Sequence, residues 1–401
     1  MPLEKVTTRQ ALDNIRGNKS ARTGYRTEGS TWPIFQPDIN PGFTINKGTK
    51  IFTIGSCFAR NIERSLRSAG FDVPSFGVVD GLNDRHGKLL ENEPQIGIFN
   101  KYTPPSMYND ARWQTEDLDP LSVLYKTGDL YWNSQIHLKT PLPEESSHEI
   151  AKKIFEYNKS AYTADVIIMT LGLVEAWYDT KRGLYLNEKP PGKLSLDERF
   201  QCHTLSYPEC KASILNYIQS IRAINKSVKF IITVSPVTLA TTMSKNDVRV
   251  RNMYSKSVLR AVAEEASVKL DNVDYFPSFE MASLSHREEA YAGDDIHIRQ
   301  SFVDYIIFTF LLNYLESKDL NCYGLAELAF SHALTVKDPS SAEFYHETFR
   351  ERILGENNIE SLILLYKYAE LCSDKKTEKQ AHIRLADLLG HEGASRVFGG
   401  W

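Results

Sequence analysis

Four short apolar runs constrain this chain more than anything else in it: residues 50–54 (KIFTI), 165–171 (DVIIMTL), 228–235 (VKFIITVS) and 273–276 (VDYF). Each is too short for a helix, rich in β-branched residues and free of polar alternation, as strands covered on both faces are. Helical spacing fills the gaps between them. Ile62, Leu66 and Ala69 lead to Gly70; Ile214, Ile218 and Ile221 follow the second run; Val258, Leu259, Val262 and Ala266 follow the third. The alternation predicts an α/β fold with a parallel sheet covered by helices. In such sheets sites gather at the carboxyl ends of the strands.

Around this unit the chain divides into three parts. Residues 1–47 read as an extended N-terminal arm with aromatic-proline spots at Trp32 and Phe35, residues 48–319 as the α/β domain, and residues 320–401 as a helical C-terminal extension. The domain carries an irregular insert, 72–160, with a polar loop (GLNDRHGKLLENE) and the aromatics Trp113, Tyr125, Tyr131 and Trp132, suited to a lid or a substrate wall. Amphipathic stretches such as 359–371 give the extension a face for packing or for a protein partner.

Composition narrows the function classes. With 401 residues, 42% of them apolar, the chain is not disordered, and 47 Lys plus Arg against 51 Asp plus Glu leave no basic surface for nucleic acid. The longest strongly apolar stretch, 305–312 (YIIFTFLL), is far short of the roughly 18 residues of a membrane span. No secretory signal is visible at the N-terminus, so a cytoplasmic location is expected, and the five cysteines (Cys57, Cys202, Cys210, Cys322, Cys372) are expected to be free thiols.

Two places can carry chemistry. The turn Gly55-Ser56-Cys57-Phe58 joins the first strand to a helix, where first-turn N–H groups and the helix dipole favour an anion and lower a thiol's pKa. The same turn also fits a structural cysteine beside an N-capping Ser56. In Gly293-Asp294-Asp295-Ile296-His297, Asp294 is placed to hold Nδ1–H of His297 and leave Nε2 for a nucleophile, or His297 is a surface histidine. Cys202, His203 and Cys210 lack the further ligands a zinc site needs. No Gly-rich phosphate loop follows a strand, so no metal and no resident cofactor are expected.

The string IFTIGSCFARNI resembles the signature of the GSCFA family, and the likeness continues through IGIFNKYTPPSM, TLGLVEAW, TVSPV, YSKSVLR, DYFPSFE and YAGDDIHIR, over roughly residues 30–315. That family is similar to the SGNH or GDSL hydrolases, which implies a three-layer α/β/α, flavodoxin-like sheet and an acyl-ester hydrolase. The resemblance carries the nucleophile to Cys57, or to Ser56 after a shift of one residue, and the Asp-x-x-His pair to Asp294 and His297. Besides the Cys57 backbone N–H, it assigns oxyanion or substrate contacts to Gly97, Asn100 and the block Gly172 to Glu175, where the usual Asn is missing; His137 is read as a pocket residue. The implied substrate is a small-molecule or carbohydrate acyl ester. Two alternatives remain: a polysaccharide O-acyltransferase using a donor such as acetyl-CoA, and a non-catalytic binding or scaffold protein on the same fold.

Overall fold

The structure, a computed structural model, describes residues 3, 5–17, 34–75, 78, 96–320 and 323–399; Trp32, Cys322 and the polar loop at 81–93 lie outside them. The described residues pack into two compact units, one drawn from within 1–33, 48–64 and 72–280, the other from within 34–47, 65–71 and 281–401.

In the first unit the arm contains a helix, α1 (Thr8–Gly17), where the sequence reads as extended. The remaining elements run β1 (Ile51–Gly55), α2 (Cys57–Ser68, whose last turn belongs to the second unit), α3 (Pro104–Thr115), β2 (Leu124–Thr127), β3 (Leu130–Asn133), α4 (Glu144–Lys159), β4 (Val166–Leu171), β5 (Glu175–Asp179), β6 (Leu184–Leu186), β7 (Phe200–Thr204), α5 (Tyr207–Ile224), β8 (Lys229–Val234), α6 (Val248–Lys269) and β9 (Val273–Phe276). The four apolar runs form one parallel sheet in the order β1-β4-β8-β9, with Ile51 opposite Val166, Val166 opposite Lys229 and Phe230 opposite Val273. Every residue of β1 and β4 is buried, which is why neither strand alternates. With its flanking helices this is the α/β fold read from the sequence, consistent with three α/β/α layers.

The insert is more regular than its sequence suggests. It holds a 3-10 turn (Ile96–Phe99), α3, the antiparallel hairpin β2-β3 and α4. Trp113, Tyr125 and Trp132 are buried in a second core with Leu184, Leu186 and Phe200, and Tyr131 packs against it. Three of the four aromatics expected to wall a substrate are therefore spent on packing. A second small sheet, β6-β5-β7, is antiparallel and lies outside the parallel pattern.

The second unit is helical: α7 (Gln300–Tyr314), α8 (Ala326–Val336), α9 (Glu343–Gly355), α10 (Ile359–Leu371) and α11 (Lys375–Gly399), the last broken at Gly390, where φ is 72°. The apolar stretch 305–312 lies in α7, whose Phe302, Tyr305, Ile306, Phe308, Phe310 and Leu311 are buried. Residues 34–47 belong to this unit: Ile45 bridges Leu315, and the Tyr305 hydroxyl donates to the Phe35 carbonyl at 2.8 Å. Among the described residues no helix is long and apolar enough to cross a membrane.

Candidate active site

β1 ends at Gly55 with φ 148°, and a Cβ there would lie 2.3 Å from the Thr170 carbonyl oxygen, so the chain can turn against β4 only through glycine. Ser56 N–H donates to that carbonyl at 3.2 Å, and the Gly55 carbonyl accepts from Lys101 N–H at 2.8 Å. α2 starts at once. Its first turn is anchored on β1 by a buried group in which Arg60 donates to both Glu63 oxygens, at 2.8 and 2.9 Å, and Glu63 also accepts from the Thr53 hydroxyl. Phe58 and Ala59 are fully buried, and Cys57 is the partly buried residue of this turn.

Ser56 and Cys57 open onto a cavity of about 430 Å³ at the carboxyl end of the parallel sheet. Loops from the successive strands are stitched around it: Leu173 N–H donates to the Tyr102 carbonyl at 2.7 Å, Val174 N–H to Ser255 Oγ at 3.1 Å, and Ser235 N–H to the Leu171 carbonyl at 2.8 Å. Its lining includes the apolar Leu173, Trp177, Leu186, Val237, Leu239 and Met243; Lys139 and Lys189 add positive charge. The hydroxyls of Ser56 and Ser235 are buried and bonded by no protein group.

Electrostatics at the thiol differ from the simple expectation for a helix N-terminus. Burial pushes the Cys57 thiol above its ordinary value; Lys256, the backbone N–H groups of Phe58 and Cys57, and Arg60 all pull it down without overcoming burial. Lys256 is itself fully buried and lines the cavity, with its Nζ donating to the Gly172 carbonyl at 3.0 Å. Burial lowers its amine to about 7, and the neighbouring Cys57 acts in the opposite sense. Gly172 is packed tightly, since a Cβ on it would stand 2.8 Å from the Tyr102 carbonyl oxygen and 3.2 Å from Ser56 Cβ.

The other residues singled out in the sequence are distributed as follows. His137 lines the cavity with Nδ1 held by Glu188 and its ring edge-on to Tyr102, 5.3 Å between centroids. Glu175 also lines it, but its carboxylate is spent on the neighbouring loop, accepting from Thr242 Oγ1 at 2.6 Å and Met243 N–H at 2.7 Å and facing Arg251 at 3.5 Å. Gly97 and Asn100 are buried behind the nucleophile turn and are not in the cavity wall. Asn100 forms a bridge to Gly55 and donates from Nδ2 to the Tyr102 hydroxyl at 3.2 Å. Of the suspected metal group, Cys202 is exposed on β7, His203 stacks on Tyr178, and Cys210 is buried in α5.

Asp294 and His297 belong to the second unit. A tight loop, closed by Ala292 N–H donating to the His297 carbonyl at 2.8 Å, presents them on the surface, with Asp294 Oδ2 2.6 Å from His297 Nδ1. The hydrogen bond to His297, joined by the N–H groups of Ile296 and His297, holds the Asp294 carboxyl well below the usual carboxylate range.

Sequence reasoning missed Lys256 and Glu188. A signal for the first was present: Lys256 lies three residues before Leu259 and seven before Ala263, on the apolar stripe of α6, where a lysine is out of place.

The fold and this turn together define an α/β protein with a cysteine where the first strand meets its helix, beside a formed cavity. The chain belongs to the GSCFA family, whose model matches residues 50–310. No curated protein and no solved structure matches it.

Proposed function

We propose that the protein is an acyl-ester hydrolase that works through a thioester on Cys57. The observation that carries this reading is the partly buried Cys57 on the first turn of α2, opening into a 430 Å³ cavity with a largely apolar lining. In this mechanism the apolar lining holds the acyl group, the sulfur attacks its carbonyl carbon, and the backbone N–H of Cys57 faces the developing oxyanion. His297, oriented by Asp294, takes a proton from the incoming water and returns it to sulfur. His137 and Glu188 hold the alcohol portion, and Gly97 and Asn100 act behind the turn by keeping it in place. Cys57 is preferred over Ser56 because the Ser56 hydroxyl is buried and makes no hydrogen bond to a protein group. The same machinery with a sugar hydroxyl in place of water is an O-acyltransferase, supported by a cavity with room for a second polar group beside Lys139 and Lys189.

Intact-mass spectrometry after incubation with activated acyl esters tests the reading. An adduct of acyl mass is expected on the wild type and on Ser56→Ala and is expected to be absent from Cys57→Ala, while His297→Ala lowers turnover by about 10²-fold or more. An adduct that survives Cys57→Ala and vanishes in Ser56→Ala overturns the nucleophile. No adduct in any form, across a panel of esters and thioesters, leaves the scaffold reading.

A further inference from the structure

We propose that Lys256 is the base that takes the proton from Cys57, so that nucleophile activation is completed by a buried amine in the cavity itself. The inference rests on Cys57 as nucleophile and divides the acid-base work: Lys256 serves the thiol and the leaving oxygen, and His297 serves the water or acceptor.

Three observations carry it. Lys256 has no exposed surface, yet it lines the cavity that holds Cys57. Lysines are almost never buried completely unless paired, and among the described residues no carboxylate pairs with this one. Its Nζ bonds the carbonyl of Gly172, the residue whose Cα side is packed on Ser56, so the amine is tied to the backbone next to the nucleophile turn. A neutral amine held in this way spends one N–H on Gly172 and keeps a lone pair. The charges that bear on the thiol are few: Lys256 and Arg60 are its cations, and Arg60 is already committed to Glu63. Burial lowers the Lys256 amine to about 7, where it is free to accept a proton.

The step balances within the site. The Cys57 S–H bond breaks, its proton passes to the Lys256 amine, and the electron pair stays on sulfur. Sulfur then forms the C–S bond as the carbonyl π pair moves to oxygen, with the new ammonium nearby to offset that charge. On collapse the C–O bond breaks, and the departing alkoxide takes a proton from the Lys256 ammonium, which restores the amine. In the second half His297 removes a proton from water, the hydroxide adds to the thioester carbonyl, the thiolate leaves, and sulfur recovers its proton from His297.

The test is the pH profile of Cys57 alkylation by iodoacetamide, read by peptide mass spectrometry against Cys57→Ala, in the wild type, Lys256→Met, Lys256→Gln and His297→Ala. The glutamine amide keeps a donor for the Gly172 carbonyl but cannot take a proton, so it separates support from proton transfer. The expected result is an inflection near neutrality in the wild type and in His297→Ala, and a rate lower by about tenfold or more at near-neutral pH in both lysine variants. Wild-type rates in Lys256→Gln reduce the lysine to a structural role and overturn the inference, as does an equal loss in His297→Ala. If the methionine variant fails to fold, the glutamine variant decides. Lysine-dependent alkylation combined with no acyl adduct from any ester supports the proton transfer and refutes only the acyl-transfer reading.

Discussion

Replacing Lys256 with methionine changes how stability depends on pH, by an amount that follows from the lysine's burial. The folded protein lowers this amine from 10.5 to about 7, whereas the unfolded chain restores its ordinary value. Between these two values the folded state binds fewer protons than the unfolded state, so unfolding takes up a proton and stability rises with pH. The cost of the buried amine is therefore full below the folded value and relieved as pH climbs toward the unfolded one. At nearly one proton the slope is about 1.4 kcal/mol per pH unit, which sums to about 2.5 kcal/mol between about pH 7.5 and about pH 9.5. Methionine carries no such term. Urea unfolding of both proteins across that range, each carrying Cys57→Ala to remove the one thiol coupled to the lysine, measures it, because the remaining titrating groups are common to the two and cancel in the difference. The protein that keeps Lys256 is expected to gain about 2.5 kcal/mol on the methionine variant as pH rises. Curves that run parallel to within about 0.5 kcal/mol mean that Lys256 keeps its proton in the fold, and a lysine that stays charged cannot serve as a base.

Three further outcomes follow from packing and hydrogen bonding. Gly55→Ala, whose Cβ would sit 2.3 Å from the Thr170 oxygen at a φ of 148°, should cost about 3 kcal/mol or more in urea unfolding; a neutral result would mean that the turn has room to relax. Glu175→Gln cannot accept from both Thr242 and Met243 and leaves Arg251 without its carboxylate, so the cavity loop should loosen, with KM raised about fivefold or more and faster proteolytic cleavage within residues 238–246. His137→Asn breaks the pair with Glu188; steady-state kinetics should show a raised KM, while intact-mass analysis still finds the acyl adduct on Cys57.

The parts of the fold that could be read from the sequence are those in which burial on both faces removes ambiguity. Residues 165–171, 228–235 and 273–276 carry apolar side chains toward both helical layers, and the strands fall within a residue of those limits. β5, β6 and β7 were illegible because each is only three to five residues long and mixes buried with partly or fully exposed positions. Their pairing, such as Trp177 with Cys202, depends on partners far along the chain. The insert's aromatics looked like a binding wall because composition does not say which way a ring points; Trp132 has no exposed surface at all. At the site, the turn announced Cys57. Lys256 stayed hidden because lysine as a residue type is expected in solvent, although its register places it on the apolar stripe of α6. The thiol's raised pKa was equally unreadable, since helix-terminus N–H groups are local while the burial that outweighs them is tertiary.

The five letters Gly55-Ser56-Cys57-Phe58-Ala59 divide into two kinds of information. Gly55 is required because no Cβ fits against Thr170, and Phe58 and Ala59 have no exposed surface, so these three letters encode how a strand turns into a helix. Ser56 and Cys57 alone face the cavity and encode what the turn can do. A chain that keeps the glycine, phenylalanine and alanine but loses the cysteine would still spell the architecture while being silent about the reaction. Membership inferred from this signature is thus a statement about shape first, and reactivity has to be read from its two middle letters.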